Sequence, residues 1–113
     1  MKIECVSKVL NAKVLCEGKG LDTEVLSACG CDLMSDVLAF VKNQAMLLTG
    51  LVNLQVVRTA EMMDMKAIVF VRGKMPGNDI IELAKDMKIA VLSTDLPLYM
   101  ACGKLYEAGL HND

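Results

Sequence analysis

Short apolar runs alternate with amphipathic segments in the second half of the chain. The runs cover residues 45–49, 67–71 and 88–92, which is a typical strand length. Between and after them, apolar side chains recur at the spacing of one helix face. These positions are Val52, Val56, Ala60 and Met63, then Ile80, Leu83, Ala84 and Met87, and finally Leu98, Ala101, Cys102 and Leu105. Alternating strands and helices predict a three-layer α/β fold, in which a mostly parallel sheet carries helices on both faces.

The first half of the chain has a weaker pattern. Ile3, Val6 and Leu10 lie on one face of a predicted short helix. A strand is expected at Lys13–Glu17, and residues 25–32 are apolar and small enough for a second strand.

Polar residues mark the starts of two predicted helices. Ser35 and Asp36 can cap and complement the N-terminal end of a helix that reaches about Lys42. Asp79 and Glu82 have the spacing of a capping box at the start of the helix whose apolar face begins with Ile80. Both signals place helix starts where the hydrophobic pattern requires them.

The chain has the organisation of one domain. Its last predicted helix has Pro97 in the first turn and Gly109 just past its end, the residues that favour a helix start and a helix end. No internal repeat, linker or low-complexity tract divides the sequence. With 113 residues, we expect a single domain over residues 1–113.

Composition and charge exclude several classes of protein. Hydrophobic residues make up 54% of the chain, which is far too apolar for a disordered protein. The formal net charge is -2, whereas nucleic-acid binding needs clustered Lys and Arg, so we expect no nucleic-acid partner. The apolar runs are much shorter than the roughly 20 residues that span a bilayer, so we expect no membrane association either.

The start of the chain and its cysteines indicate a cytoplasmic protein. Glu4 and the alternation of polar and apolar residues after it leave no apolar core for a signal peptide. The five cysteines are an odd number and lie among apolar neighbours. This pattern is typical of reduced thiols in a reducing compartment rather than of a disulfide framework.

Small polar and charged residues follow each predicted strand of the second half. In parallel sheets, ligands bind beyond the carboxyl ends of the strands, where helix N-termini offer free N–H groups. The candidate ligand-binding residues are Thr49, Gly50, Asn53, Arg72, Gly73, Ser93, Thr94 and Asp95, with Lys74 beside them. Together they predict a site for a small anionic or nucleotide-like ligand. The alternative is that these residues only cap their own helices, since capping uses the same residue types.

No catalytic or metal motif is legible. Cys29 and Cys31 would point to one face of a strand, with Gly30 between them permitting close approach. Zinc needs further thiols or histidines at a suitable spacing, so we interpret both as core residues. His111 lies in a polar tail and is interpreted as solvated, and the Gly-Lys-Gly at residues 18–20 lacks the rest of a phosphate loop. We therefore expect no catalytic residues, no metal, no cofactor and no enzymatic activity.

Two long segments resemble the DRTGG domain family: "CDLMSDVLAFVKNQAMLLTG" and "KAIVFVRGKMPGNDIIELAKDMKIAVLSTDLPLYMACGKLYEAGL". The resemblance lies in the order of elements, the "SDV" turn, the strand ends "AIVFVRG" and "IAVLSTD", and the closing "GKLYEAG" helix. It covers nearly the whole chain, although the motif that names the family is not present. The resemblance implies an accessory α/β module, similar to the N-terminal domain of HPr kinase/phosphorylase and also found fused to CBS domains. It further implies a regulatory or interaction role, commonly as a dimer, without phosphoryl-transfer machinery.

Three functional hypotheses follow. The first is a non-catalytic regulatory module that senses a small anionic ligand at the strand ends. The second is a homodimeric adaptor that offers an apolar face to a partner protein or to its own copy without any ligand. The high apolar fraction motivates the second hypothesis, whereas the nine methionines are interpreted as core residues, with a subunit interface as the alternative. An enzyme whose site is assembled from residues distant in sequence is the third alternative.

Overall fold

The computed structural model describes residues 1–40 and 45–111 of the chain. Its strands are β1 (Lys13–Glu17), β2 (Ser27–Gly30), β3 (Ala45–Thr49), β4 (Ala67–Phe70) and β5 (Ala90–Ser93). Its helices are α1 (Ile3–Val9), α2 (Met34–Phe40), α3 (Leu54–Met62), α4 (Asn78–Asp86) and α5 (Leu98–Glu107). None of these described helices is long and apolar enough to cross a membrane.

The strands form one sheet in the order β1-β5-β4-β3-β2. Strands β2 to β5 pair in parallel, whereas β1 pairs antiparallel with β5 at one edge of the sheet. The register of β1 shifts between Val14 and Cys16, where the strand bulges. The predicted mostly parallel sheet is confirmed.

Helices cover both faces of this sheet, which confirms the three-layer α/β architecture. On one face, α2, α3 and α4 bury their apolar stripes, and Val56 and Ile80 join Phe70 in the core. On the other face, α1 and α5 bring Ile3 and Leu105 against Val69. Neighbouring residues of one strand point to opposite faces. Because β3, β4 and β5 are buried on both faces, each reads as a continuous apolar run in the sequence.

The strand ends differ by a few residues from the predicted ones. Strand β2 is shorter than the predicted run at residues 25–32, and β4 ends one residue before the predicted run at 67–71. Strand β5 begins later than residues 88–92 suggest, because Lys88 still belongs to the turn that ends α4 and donates its N–H to Lys85 O at 3.1 Å.

The predicted helix starts are less accurate. Helix α2 begins at Met34, so Ser35 lies within the helix instead of capping it, while Asp36 does place a negative charge in the first turn. The predicted end near Lys42 lies outside the described residues.

The predicted capping box of α4 is wrong. Gly77 is the N-cap residue, in an extended conformation with φ of -73°, and it has no side chain to make the capping hydrogen bond. Asp79 is already inside the helix, so Glu82 has no N-cap hydroxyl or carboxylate to complement. The acidic charge of Asp79 still lies in the first turn, where the helix dipole favours it.

Four helices end in the same left-handed turn. The residue after the C-cap has a positive φ in each of them: Asn11 (48°), Asp64 (53°), Lys88 (58°) and Gly109 (109°). The following N–H then reaches back into the last turn, as Ile89 does to Ala84 O at 2.9 Å, which is the Schellman arrangement. Gly109 is confirmed just past the end of α5, after the C-cap residue Ala108, whereas Pro97 is the extended N-cap residue rather than part of the first turn. Arg72 is the one other described non-glycine residue with a positive φ, and no helix ends there.

Candidate functional site at the carboxyl edge of the sheet

The carboxyl ends of the parallel strands lie along one edge of the sheet. Thr49 pairs in register with Phe70, and Phe70 with Ser93, so the loops after β3, β4 and β5 begin side by side. The loop after β2 joins them, because the Cys31 N–H donates to Leu48 O at 3.0 Å. The predicted gathering of strand ends at one rim is therefore found. We call this region the carboxyl edge; it comprises Asp32, Thr49, Gly50 and residues 72–74 and 93–95.

Asp32, which the sequence pattern did not single out, is held by the loop after β3. Its Oδ1 accepts hydrogen bonds from the Thr49 hydroxyl at 2.9 Å and from the Gly50 N–H at 2.8 Å. The Thr49 Oγ1 in turn accepts the Leu51 N–H at 3.1 Å. Within the described part of the chain, Oδ2 of Asp32 accepts no hydrogen bond, and the residue is exposed. The carboxylate is thus anchored through one oxygen and presents the other to solvent.

These hydrogen bonds hold the pKa of Asp32 below its ordinary value. The Gly50 N–H makes the largest contribution and the Thr49 hydroxyl the second, because both stabilise the charged carboxylate. Slight burial acts in the opposite direction, and the positive charges of Arg72 and Lys74 lower the pKa further. Asp32 is therefore ionised at neutral pH and lies within the positive field of the loop after β4.

The loop after β4 is a tight turn with Arg72 and Gly73 at its centre. Both have a positive φ, 61° and 70°, and the Lys74 N–H donates to Val71 O at 3.2 Å. Positive φ at both central residues is the signature of a type I′ turn. The Gly73 N–H donates to Thr94 O at 2.8 Å and ties the turn to the loop after β5. The side chains of Arg72 and Lys74 are left exposed.

The backbone of Arg72 is strained. A left-handed conformation costs a residue with a Cβ roughly 1–2 kcal/mol. The Arg72 N–H donates to Leu96 O at 2.8 Å, and this bond holds the residue in place. Neighbouring Gly73 is constrained by its own positive φ of 70°, and a Cβ there would also lie 3.1 Å from Oδ1 of the exposed Asp95 side chain. Strain of this kind persists only where the surrounding structure imposes it, and it concentrates at functional sites.

Ser93 and Thr94 are neighbours, yet their hydroxyls serve opposite sides of the sheet. The Ser93 Oγ donates to Lys74 O at 2.8 Å, beneath the turn after β4. The Thr94 Oγ1 donates to Leu10 O at 2.8 Å and fastens the end of α1 to the carboxyl edge. Both side chains are buried, and Thr94 is only 2% exposed. Their hydroxyl hydrogens are therefore used within the fold.

The structure separates the predicted ligand residues into two groups. Asn53 is the N-cap of α3, where its Oδ1 accepts the Val56 N–H at 3.1 Å, as the capping alternative proposes. Internal hydrogen bonds likewise use the hydroxyl groups of Thr49, Ser93 and Thr94, each of which donates to another group of the chain. The second group is exposed and charged: it comprises the predicted Arg72 and Asp95, with Lys74 beside them and Asp32, which was not predicted. Ligand binding by these residues stays a prediction.

The cysteines are free thiols. Cys29 and Cys31 pack against the same core cluster, as expected for thiols on one face of a strand. Burial is the main cause that raises the pKa of Cys29, and burial also raises the pKa of Cys102, so neither is an activated thiol. His111 is exposed, and its Nε2 lies 3.0 Å from Tyr106 O at the end of α5. Over residues 1–40 and 45–111, no three His, Cys, Asp or Glu side chains are placed to hold a metal ion.

One signal in the sequence could have identified Asp32. The residue directly follows the apolar run that forms β2, and ligands bind beyond the carboxyl ends of parallel strands. The predicted strand at residues 25–32 placed Asp32 inside the strand, so its position at the strand end was missed. Its anchoring by Thr49 and Gly50, 17 and 18 residues away, has no sequence signature.

Comparisons with known proteins support the fold. No protein-family model matches the sequence, and no curated protein matches it. Among solved structures, the chain is similar to the CBS and DRTGG domains of the regulatory region of Clostridium perfringens pyrophosphatase, complexed with its activator, diadenosine tetraphosphate. The TM-score is 0.77 at 16% sequence identity, and the match covers 92% of this chain and 45% of that one. The fold is that of a DRTGG-like domain, as the sequence resemblance predicts, and the chain matches less than half of that regulatory region.

Proposed function

We propose that this DRTGG-like fold, as one domain over residues 1–113, is a non-catalytic regulatory module that senses a small anionic or nucleotide-like ligand. The observation that carries the proposal is the set of exposed charges at the carboxyl edge. Arg72 and Lys74 supply positive charge, and Asp32 and Asp95 supply acceptor oxygens. The similar fold in the Clostridium perfringens pyrophosphatase belongs to a regulatory region that was solved with a nucleotide activator, which supports a ligand-sensing role.

The backbone conformation of Arg72 adds independent support. Asp64 and Lys88 are left-handed because they end helices, whereas the turn at Arg72 ends none. The fold therefore maintains a strained arginine among exposed charges at the place where parallel sheets bind ligands.

Thermal unfolding with nucleotides and phosphorylated metabolites tests this proposal. A ligand that binds only the folded state raises the midpoint. The shift should be lost in the double variant Arg72→Gln/Lys74→Gln. It should persist in the matched variant Lys85→Gln/Lys88→Gln, which removes two positive charges near the opposite end of the sheet. The absence of any shift at millimolar ligand would contradict the proposal.

A second candidate function, a homodimeric adaptor, is supported by the outer face of α5. Tyr99 is 86% exposed and Tyr106 is 64% exposed, and their spacing puts them on one side of the helix. Gly103 lies between them, and a Cβ there would meet no atom within 4 Å. A mid-helix glycine costs about 1 kcal/mol relative to alanine, and packing within this chain does not require it. A groove of about 220 Å³ beside this face is lined by Ala28, Gly30, Cys102, Leu105, Tyr106 and Leu110.

Sedimentation of the protein at tens of micromolar, a typical concentration for such contacts, tests the adaptor. If α5 packs on α5 of a second copy, Tyr99→Ser/Tyr106→Ser should be monomeric. Gly103→Leu should also dissociate the dimer, although a Cβ at this position meets no atom of the single chain within 4 Å. Met62→Ser is the control, because Met62 is 67% exposed on α3, away from this helix. A wild-type protein that is monomeric at these concentrations contradicts the adaptor.

The proposal also includes a cytoplasmic location and no enzymatic activity, metal or cofactor. The free thiols of all five cysteines are in keeping with a reducing compartment. Release of phosphate from any ester during the ligand screen would contradict the non-catalytic part.

A further inference from the structure

The carboxyl edge offers its ligand two different recognition chemistries. An ionised carboxylate only accepts hydrogen bonds, so Oδ2 of Asp32 can bind a donor such as a hydroxyl group. Arg72 and Lys74 only donate, and their charge suits phosphate oxygens. The two kinds of group lie at neighbouring strand ends, since Thr49, which bonds to Asp32, pairs in register with Phe70, two residues before Arg72. A ligand that satisfies both carries hydroxyl and phosphate groups in one molecule.

Asp32 is organised in advance for the acceptor role. Its Oδ1 is occupied by the Thr49 hydroxyl and the Gly50 N–H, which orient the carboxylate before any ligand arrives. Gly50 leaves space beside it, since a Cβ there would lie 3.7 Å from Oδ2 and 3.8 Å from Oδ1. A carboxylate held in this way does not have to lose side-chain freedom when it binds a ligand.

We propose that the carboxyl edge recognises a phosphate ester that carries a pair of neighbouring hydroxyls. In this arrangement Asp32 accepts hydrogen bonds from the diol, and the turn with Arg72 and Lys74 holds the phosphate. Ribonucleotides and sugar phosphates share this chemistry. The inference rests on the proposed ligand-sensing function and adds to it a binding residue, Asp32, and a requirement for the diol.

Calorimetric titration in EDTA tests the requirement with four probes. These are adenosine 5′-monophosphate, ribose 5-phosphate, 2′,3′-dideoxyadenosine 5′-monophosphate and inorganic phosphate. Adenosine 5′-monophosphate should bind at least about tenfold more tightly than its dideoxy analogue and than phosphate, because both of these lack the hydroxyls that donate hydrogen bonds to the charged Asp32 carboxylate. Tight binding of ribose 5-phosphate would identify the sugar phosphate as sufficient, and weak binding would restrict the ligand to nucleotides.

Asp32→Asn is the sharpest variant for this test. The asparagine Oδ1 can still accept from Thr49 and Gly50, while the outward oxygen becomes an amide donor. The preference for the diol should fall to about twofold or less, with phosphate binding retained. Asp36→Asn is the matched control, because it removes an exposed carboxylate one helical turn away and should keep the preference.

Two results separate the failure of this inference from that of the proposed function. Binding of all four probes with equal affinity, or a diol preference that survives Asp32→Asn, overturns the role of Asp32 and leaves anion sensing intact. If none of the probes binds, the diol inference is overturned, and if the wider ligand screen also gives no shift, anion sensing at this edge fails with it. The dideoxy comparison needs no variant, so the test does not depend on the folding of Asp32→Asn.

Discussion

The left-handed backbone conformation serves different purposes at Asp64 and Lys88, at the amino end of the sheet, and at Arg72, at its carboxyl end. At the amino end, Asp64 and Lys88 end α3 and α4, and their turns satisfy carbonyl groups that the helices would otherwise leave open. At the carboxyl end, Arg72 has the same conformation in a turn that is pinned by Leu96 and ends no helix. A positive φ thus completes a helix at Asp64 and Lys88 and forms a tight turn between two strand-end loops at Arg72. Charged side chains are exposed at both ends, since Asp64 and Lys88 are exposed as well, so what distinguishes Arg72 is that its left-handed conformation completes no helix.

The largest expected effect lies at the amino end. Gly18 has a φ of 60°, and a Cβ there would lie 2.5 Å from the Ala90 N and 2.9 Å from the Ile89 carbonyl carbon. We expect Gly18→Ala to lower the free energy of unfolding by about 2–4 kcal/mol, from left-handed strain and the clash with the start of β5. Urea denaturation measures the loss. Gly73→Ala is the control for strain, because its φ of 70° is similar and a Cβ there meets only the end of the exposed Asp95 side chain, at 3.1 Å from Oδ1. Equal losses in the two variants would rule out the close approach as the cause.

The next largest effect is the loss of stability on removing the hydroxyl of Thr94, compared with that of Ser93, at the carboxyl end. Thr94→Val keeps the side-chain volume but leaves the Leu10 carbonyl without its buried donor, so we expect a loss of about 1–3 kcal/mol. Ser93→Ala removes the bond to Lys74 O at the edge of an exposed turn and should cost about 0.5–1.5 kcal/mol. Chemical denaturation of both variants measures the two losses in free energy of unfolding and shows which is larger. A larger loss in Ser93→Ala would mean that the turn after β4, not the contact with α1, holds this end together.

A small gain in the free energy of unfolding is expected when a left-handed residue at either end is replaced by glycine. Arg72→Gly and Lys88→Gly each relieve a left-handed residue, and after the entropy cost of glycine both should gain up to about 1 kcal/mol in unfolding free energy. Only Arg72→Gly should abolish the thermal shift caused by ligand. If Arg72→Gly keeps that shift, the Arg72 side chain has no role in binding.

The smallest effect is a pH dependence at Asp32. Because folding lowers its pKa, the carboxylate stabilises the fold above the unfolded value of about 3.8, and this contribution is lost as pH falls through the lower folded pKa. Asp32→Asn should therefore be less stable than the wild type at about pH 6, which lies well above that pKa. The difference in stability should vanish at strongly acidic pH. The exposed side chain keeps this effect small. Thermal unfolding across pH measures it, with Asp86→Asn as a control at the amino end. A difference that does not change with pH would contradict the assigned cause.

The sequence by itself determined the layered architecture. Strands buried on both faces must be apolar throughout, so the runs that form β3, β4 and β5 are visible without a structure. Their parallel order also implies that Thr49 and Ser93 end at one edge, which the structure confirms. The first residue of a helix is harder to predict from the sequence, because the acidic residues that can cap a helix also occur inside its first turn. Asp79 is such a residue, and the true N-cap is Gly77.

Only the tertiary structure decided which polar groups are free. Ser93 and Thr94 are equivalent in the sequence, yet one hydroxyl bonds to Lys74 and the other to Leu10, 84 residues away. Asp32 became a candidate because two groups from the neighbouring loop anchor one of its oxygens. The physical reason is that residue type limits the hydrogen bonds a side chain can make, while the folded chain supplies the partner. A polar residue is available to a ligand only after those internal partners have been satisfied.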